Sequence, residues 1–125
     1  MGFSLRGRRI AIGVADSPFR DSLRRALERE GATVSTQPSA TRQLAAVSPP
    51  EPQACIVDVD LPDLGPRELT EAIRKDHPTM PIILVSAHLF PIEIASLKDF
   101  PTLPLPFRRG QLLELLERLL RGQAA

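Results

Sequence analysis

Two carboxylates and a hydroxyl, Asp16, Asp58 and Ser86, are the residues of this chain whose type and placement point to a site. Each ends or closely follows a short apolar run: Ile10-Ala11-Ile12-Gly13-Val14, Ala54-Cys55-Ile56-Val57 and Pro81-Ile82-Ile83-Leu84-Val85. If those runs are parallel strands of one open sheet, the three side chains converge on a polar site beyond the C-terminal strand ends. The competing reading makes each an ordinary loop or cap residue. Other chemistries are poorly signalled. His77 and His88 have no second ligand at metal spacing, and no Cys/His cluster exists to hold zinc. Ser86 belongs to no Gly-x-Ser-x-Gly turn, which argues against a hydrolase nucleophile. Gly13 and Gly31 form no phosphate-cradling loop.

The elements that must position those residues follow from periodicity. Ile10–Val14 is an unalternating apolar run of the kind shown by a strand buried on both faces. After Ser17-Pro18, the spacing of Phe19, Leu23, Ala26 and Leu27 predicts a helix that Gly31 stops. Ala32–Thr36 reads as a second strand, followed by a weaker helix over Thr41–Val47 that ends before Pro49-Pro50. Ala54–Val59 is the third strand, and loop chemistry in Leu61–Pro66 leads into a helix from about Arg67 to Lys75. Pro81–Val85 is the fourth strand, and a short helix is expected near Ile92–Leu97. A proline-rich stretch, Phe100–Pro106, falls where a fifth strand is due, and proline confines that strand to a sheet edge. Gln111–Arg121 is the last helix. Alternation of strand and helix, about five times over, predicts a parallel sheet covered by helices on both faces.

Bulk properties narrow the class. A chain of 125 residues suits a single α/β domain, with a core expected over about 8–121 and flexible ends at 1–7 and 122–125. Apolar residues make up 42% and charged ones 25%, enough for one solvated core. The single cysteine, Cys55, excludes an internal disulfide and reads as a buried thiol. No stretch is long and apolar enough to span a bilayer, and no signal-peptide pattern opens the chain, so no membrane association and a cytoplasmic location are expected. The net charge of +1, the absence of Trp and Tyr and the presence of only 5 Phe give nucleic-acid binding no support. The clusters Arg6, Arg8, Arg9 and Arg108, Arg109 read as solvated flanks.

The stretch Cys55-Ile56-Val57-Asp58-Val59-Asp60-Leu61-Pro62-Asp63 resembles the phosphoacceptor strand and loop of response-regulator receiver domains. Val14–Phe19, Pro81–Ala87 and Leu105-Pro106-Phe107 resemble further segments of that family, in its order and nearly its spacing. The resemblance implies a flavodoxin-like (βα)5 fold, a doubly wound parallel sheet of strand order 2-1-3-4-5 in a single domain. It implies two-component signal transduction, a phosphorelay in which a histidine kinase passes a phosphoryl group to a carboxylate. Carried over residue by residue, Asp58 is the phosphoacceptor. Asp16, Asp58 and the backbone carbonyl of Asp60 are the Mg²⁺ ligands, and Ser86 is the hydroxyl that contacts the phosphoryl group.

Three positions depart from the family pattern. Ala15 stands where a second consecutive acid is usual, which leaves the Mg²⁺ site weak. Leu105 occupies the place of the family lysine, and a leucine donates no charge-assisted hydrogen bond to phosphate; neither Lys98 nor Arg108 is placed to substitute. Thr102 occupies the place of the switch aromatic on strand five. The opening Leu5-Arg6-Gly7-Arg8-Arg9-Ile10 is similar to the entry into receivers embedded in hybrid kinases.

These departures predict a degenerate receiver that is not an enzyme and works through protein–protein contact with a histidine kinase or another signalling domain, with phosphorylation at Asp58 retained as an option. A fully working Mg²⁺-dependent acceptor is the alternative. A pseudo-receiver that binds a cyclic dinucleotide, with Arg108 and Arg109 engaging phosphates, is a further one. In the last helix, Leu112, Leu113, Leu115, Leu116, Leu119 and Leu120 exceed what one apolar stripe needs. That excess predicts an interface carried by Leu112, Leu115, Leu116 and Leu119, with a homodimer through this helix as one form; packing against the chain's own sheet is the rival explanation.

Overall fold

The computed structural model describes residues 4–86, 100–104 and 107–121. The elements run β1 (Arg9–Gly13), α1 (Ser17–Arg29), β2 (Thr33–Gln37), α2 (Ala40–Ala46), β3 (Ala54–Asp58), α3 (Pro66–Asp76), β4 (Ile82–Ser86), β5 (Thr102–Pro104) and, last, α4 (Arg109–Arg121). The five strands form one sheet of order β2-β1-β3-β4-β5, and every pairing is parallel. The doubly wound sheet and its strand order are as the sequence led us to expect. The short helix expected near Ile92–Leu97 lies outside the described residues.

Both sheet faces are covered, which is why the strands read as continuous apolar runs. Along β3, Ala54 and Ile56 join one core with Leu23 and Leu27 of α1 and Leu112, Leu116 and Leu120 of α4. Cys55 and Val57 point the other way, into a second core with Leu69 and Ile73 of α3 and with Ala40. The leucine-rich α4 is therefore a core element. Leu112, Leu115 and Leu116 are buried against this chain's own sheet, and Leu119 is partly buried there. The burial of Leu112, Leu115 and Leu116 favours the rival explanation, packing against the chain's own sheet, and leaves Leu119 as the partly exposed residue of the four. The helix also begins at Arg109, ahead of the expected Gln111, because the Arg108 N–H donates to Gln111 Oε1 at 2.7 Å and closes the first turn.

Helix boundaries have local causes. Asp16 caps α1, with Pro18 in its first turn. Gly31, at φ +99°, lets the chain leave α1, and a Cβ there would press on the Arg6 backbone at 3.0 Å. Ser39 caps α2, its Oγ accepting from the Arg42 N–H at 3.3 Å. Strand β5 spans three residues, Thr102–Pro104, directly after Pro101, and among the described residues pairs only with β4, so proline does sit on an edge. At the other end of the chain, Leu5 lies ahead of the expected core boundary yet is fully buried, its N–H donating to Glu30 O at 2.8 Å.

Candidate functional site at the strand ends

Parallel register decides which of the expected site residues meet. Asp58, the last residue of β3, pairs with Val85 of β4, so Ser86 stands one residue further along the neighbouring strand. Asp58 is half-buried and Ser86 is 1% exposed. The strand β1 pairs through Gly13 with Val57, which brings Val14 level with Asp58. Val14 is fully buried in the core, and Ala15 follows it, exposed. Asp16 comes after both and is committed to the helix: its Oδ2 accepts from the Phe19 N–H at 3.0 Å. Hence Asp58 and Ser86 lie on adjacent strand ends, whereas the residue of β1 that shares their level is a valine.

The loop after Asp58 is folded back on it. The Asp60 N–H donates to Asp58 Oδ1 at 2.9 Å, and the Leu61 N–H donates to Asp58 O at 3.1 Å. Asp60 itself is exposed. Among the described residues no group of three His, Cys, Asp or Glu side chains is placed to hold a metal ion.

The remaining expected positions are distributed as follows. Thr102 pairs with Leu84, and its Oγ1 donates to Phe100 O at 3.2 Å, so the hydroxyl is turned to its own strand's backbone. Leu105, in the place of the family lysine, lies outside the described residues, as does His88. Arg108 and Arg109 are exposed. Beside Arg109, Phe19, Leu23 and Phe107 line a groove of about 220 Å³, below the roughly 300–1,000 Å³ usual for small-molecule pockets. It gives the cyclic-dinucleotide reading no support.

Sequence reasoning missed a second set of residues that shape the site from α2. The Ala40 N–H donates to Pro62 O at 2.9 Å, and Thr41 Oγ1 donates to Asp63 Oδ2 at 2.8 Å. Gln43 is fully buried, its Nε2 donating to Ala11 O at 3.2 Å. Gly13 leaves room for this packing: a Cβ on it would lie 2.9 Å from Leu61 Cδ2 and 3.1 Å from Gln43 Cδ. One signal was present. Ala40, Gln43, Leu44 and Val47 fall at i, i+3, i+4 and i+7, so Gln43 occupies the apolar face of its helix, where a polar side chain needs a specific partner. Next to it, burial pushes the Cys55 thiol up to about 12, and a hydrogen bond with the Gln43 side chain offsets part of that rise.

Comparison with known proteins places this geometry. Residues 14–117 match the response regulator receiver domain family. The DNA-binding transcriptional regulator NtrC of Proteus hauseri is 31% identical over 106 residues, covering 82% of this chain and 22% of that protein. The response regulator MprA of Mycobacterium ulcerans is 30% identical over 116 residues, 90% of this chain and 50% of that protein. The chain thus spans about a fifth to a half of the curated relatives it matches. Among solved structures, a CheY-like receiver domain from Methanospirillum hungatei superposes with a TM-score of 0.85 at 28% identity, covering 93% of this chain and 95% of that one. A signal receiver domain of an HD domain-containing protein from Pseudomonas fluorescens shares the fold, with a TM-score of 0.87 at 21% identity over 94% and 98% of the two chains.

Proposed function

This chain belongs to the family of response regulator receiver domains, and from that premise we propose that it is a pared-down receiver, acting in two-component signalling chiefly by docking, with Asp58 as its phosphorylatable carboxylate. The family is one of signalling modules rather than of enzymes that turn over free substrates. The observation that carries the proposal is the register at the strand ends. Asp58 and Ser86 stand on neighbouring strands, while Val14 fills the level of β1 beside Asp58.

Mg²⁺ demands near-octahedral oxygen coordination and is usually held by one or two carboxylates. The donors available here are Asp58, the Asp60 carbonyl and Asp16, whose Oδ2 already caps α1. Two carboxylates suffice in number, but one oxygen of Asp16 is engaged at the helix cap, so the set would hold such an ion weakly. Phosphoryl transfer draws on cationic charge to neutralise the transferring group, and a weak metal site in a chain whose sequence carries leucine at the family lysine's position supplies little of it. Asp58 would then accept a phosphoryl group slowly, if a donor is presented, and Ser86 is the neighbouring hydroxyl. The partner on this reading is a histidine kinase or another signalling domain, and the compartment is the cytoplasm, where such donors act. No helix among the described residues is long and apolar enough to cross a membrane.

The test is intact-mass analysis after incubation with acetyl phosphate or a phosphorylated histidine kinase, with and without Mg²⁺. Little incorporation is expected, weakly dependent on Mg²⁺, and none in Asp58→Asn. Rapid, strongly Mg²⁺-dependent labelling at Asp58 would show a fully working acceptor and retire the pared-down reading.

A further inference from the structure

We propose that helix α2 is the partner element of the Asp58 loop in this chain, with Thr41 and Gln43 as positioning residues that couple the state of Asp58 to α2. The inference rests on Asp58 being the carboxylate through which this domain is switched, and it adds where that switch is felt.

The connection is continuous in hydrogen bonds and contacts. Asp58 Oδ1 accepts from the Asp60 N–H at 2.9 Å, and Asp58 O accepts from the Leu61 N–H at 3.1 Å, so the first turn of the loop is built on Asp58. The next three residues are each held from α2 or β1. Leu61 is buried and converges with Gln43 on the face of Gly13. Pro62 O accepts from the Ala40 N–H at 2.9 Å. The Asp63 carboxylate accepts from the Thr41 hydroxyl at 2.8 Å. Asp63 also has φ 90°, a left-handed conformation that costs a non-glycine residue and persists only where its surroundings impose it. The Thr41 hydroxyl is the side-chain contact on that residue among the described hydrogen bonds.

Helix α2 is suited to respond. It is seven residues long, with Ala40 buried at the end that meets the loop and Gln43 buried at its middle, while Leu44 and the capping Val47 pack on the core beyond them. A helix of two turns is held by few contacts, so a small shift of its loop end costs little. Gln43 fixes the register of that movement, because its amide is tied to β1 through Ala11 O while its side-chain carbons touch the Gly13–Leu61 contact. A change at the Asp58 carboxylate that withdraws the acceptor from the Asp60 N–H must reseat the loop, and the loop's next anchors belong to α2.

The experiment reads this coupling without any phosphoryl donor, so it is answered separately from whether Asp58 is phosphorylated. Amide ¹H–¹⁵N spectra of the whole chain are recorded for the wild type, Asp58→Ala, Thr41→Val, Thr41→Ser and the double variant Asp58→Ala/Thr41→Val. Asp58→Ala should shift the amides of Ala40, Thr41 and Gln43 more than those of α4. Thr41→Val should shift Asp60 to Leu64 in return, and Thr41→Ser, which keeps the hydroxyl, should restore the wild-type positions. Denaturation midpoints of the two single variants should fail to sum to that of the double variant, as residues in one hydrogen-bond network do. Shifts from Asp58→Ala confined to β3 and β4, or strictly additive midpoints, would overturn the proposal. Should Asp58→Ala fold poorly, Asp58→Asn, which loses the charge but keeps an oxygen acceptor, is expected to leave the α2 amides nearer their wild-type positions, and large α2 shifts in it would count against the hydrogen-bond route.

Discussion

At the scale of single residues, the cores on either face of the sheet are apolar, and the polar groups inside them carry the information. Cys55 faces the core shared with α2 and α3, fully buried. Burial raises its thiol from the ordinary 9.0 to about 12 because the thiolate would be desolvated there, and the Gln43 hydrogen bond recovers only part of that cost. The sign of the consequence follows from linkage. The folded state holds the proton more tightly than the unfolded state, so this contribution to stability is fully present below about pH 9 and falls as pH rises from there toward about 12. Urea midpoints measured across that window should decline for the wild type and decline less for Cys55→Ala. Alkylation by iodoacetamide at pH 8 should be slow until denaturant is added. Fast modification of the native protein would mean that the thiol is accessible and that the burial argument fails. Gly13 belongs to the same neighbourhood, and nothing in the sequence marks it. A glycine inside a buried run reads as a weak strand residue; its reason is the close approach of Leu61 and Gln43, a contact between segments 30 and 48 residues away in the chain, by subtraction of their numbers.

At the scale of elements, the sequence was most readable where a boundary is set by neighbours in the chain. The strands β1, β3 and β4, the Gly31 stop after α1 and the prolines at and before β5 are all local signals, and each element appears within a residue or two of its expected place. For the last helix the sequence left interface and internal packing both open, because counting leucines does not reveal how wide a face the sheet and α1 jointly cover; the burial of Leu112, Leu115 and Leu116 favours packing. Asp16 shows the same limit in the site. The resemblance makes it a metal ligand, with a loop or cap role as the competing reading; the Phe19 N–H bond and the burial of Val14 at the level of Asp58 favour the cap. The two roles separate experimentally. Asp16→Ala should cost about 1 kcal/mol, the usual loss for an N-cap acid, read from urea denaturation. The cost should be the same with and without Mg²⁺. If millimolar-range Mg²⁺ stabilised the wild type and Asp16→Ala abolished that stabilisation, Asp16 would be acting as a ligand.

At the scale of the whole molecule, the fold is an open parallel sheet whose two faces must be covered, and the segment ahead of β1 contributes to covering one of them. Leu5 contributes a fully buried side chain to the core with α1 and α4. Its backbone is bonded on both sides of the chain reversal: the Leu5 N–H donates to Glu30 O at 2.8 Å, and Leu5 O accepts from the Arg8 N–H at 2.9 Å. Arg8 O in turn accepts from the Thr33 N–H at 2.8 Å, joining the segment to the start of β2. Charged and glycine neighbours hid this in the sequence, since one leucine among Arg6, Gly7, Arg8 and Arg9 makes no periodic pattern. Truncating a fully buried leucine removes its transfer energy and leaves a cavity, about 2–5 kcal/mol for Leu→Ala. Small domains are stable by only about 5–15 kcal/mol, so Leu5→Ala should take away a large share of the total. In urea the midpoint should fall with the slope unchanged, which marks lost packing rather than a change in the surface exposed on unfolding. A Leu5→Ala variant within about 0.5 kcal/mol of the wild type, the range of ordinary surface substitutions, would place the segment outside the cooperative unit and return the edge of the core to about Arg8.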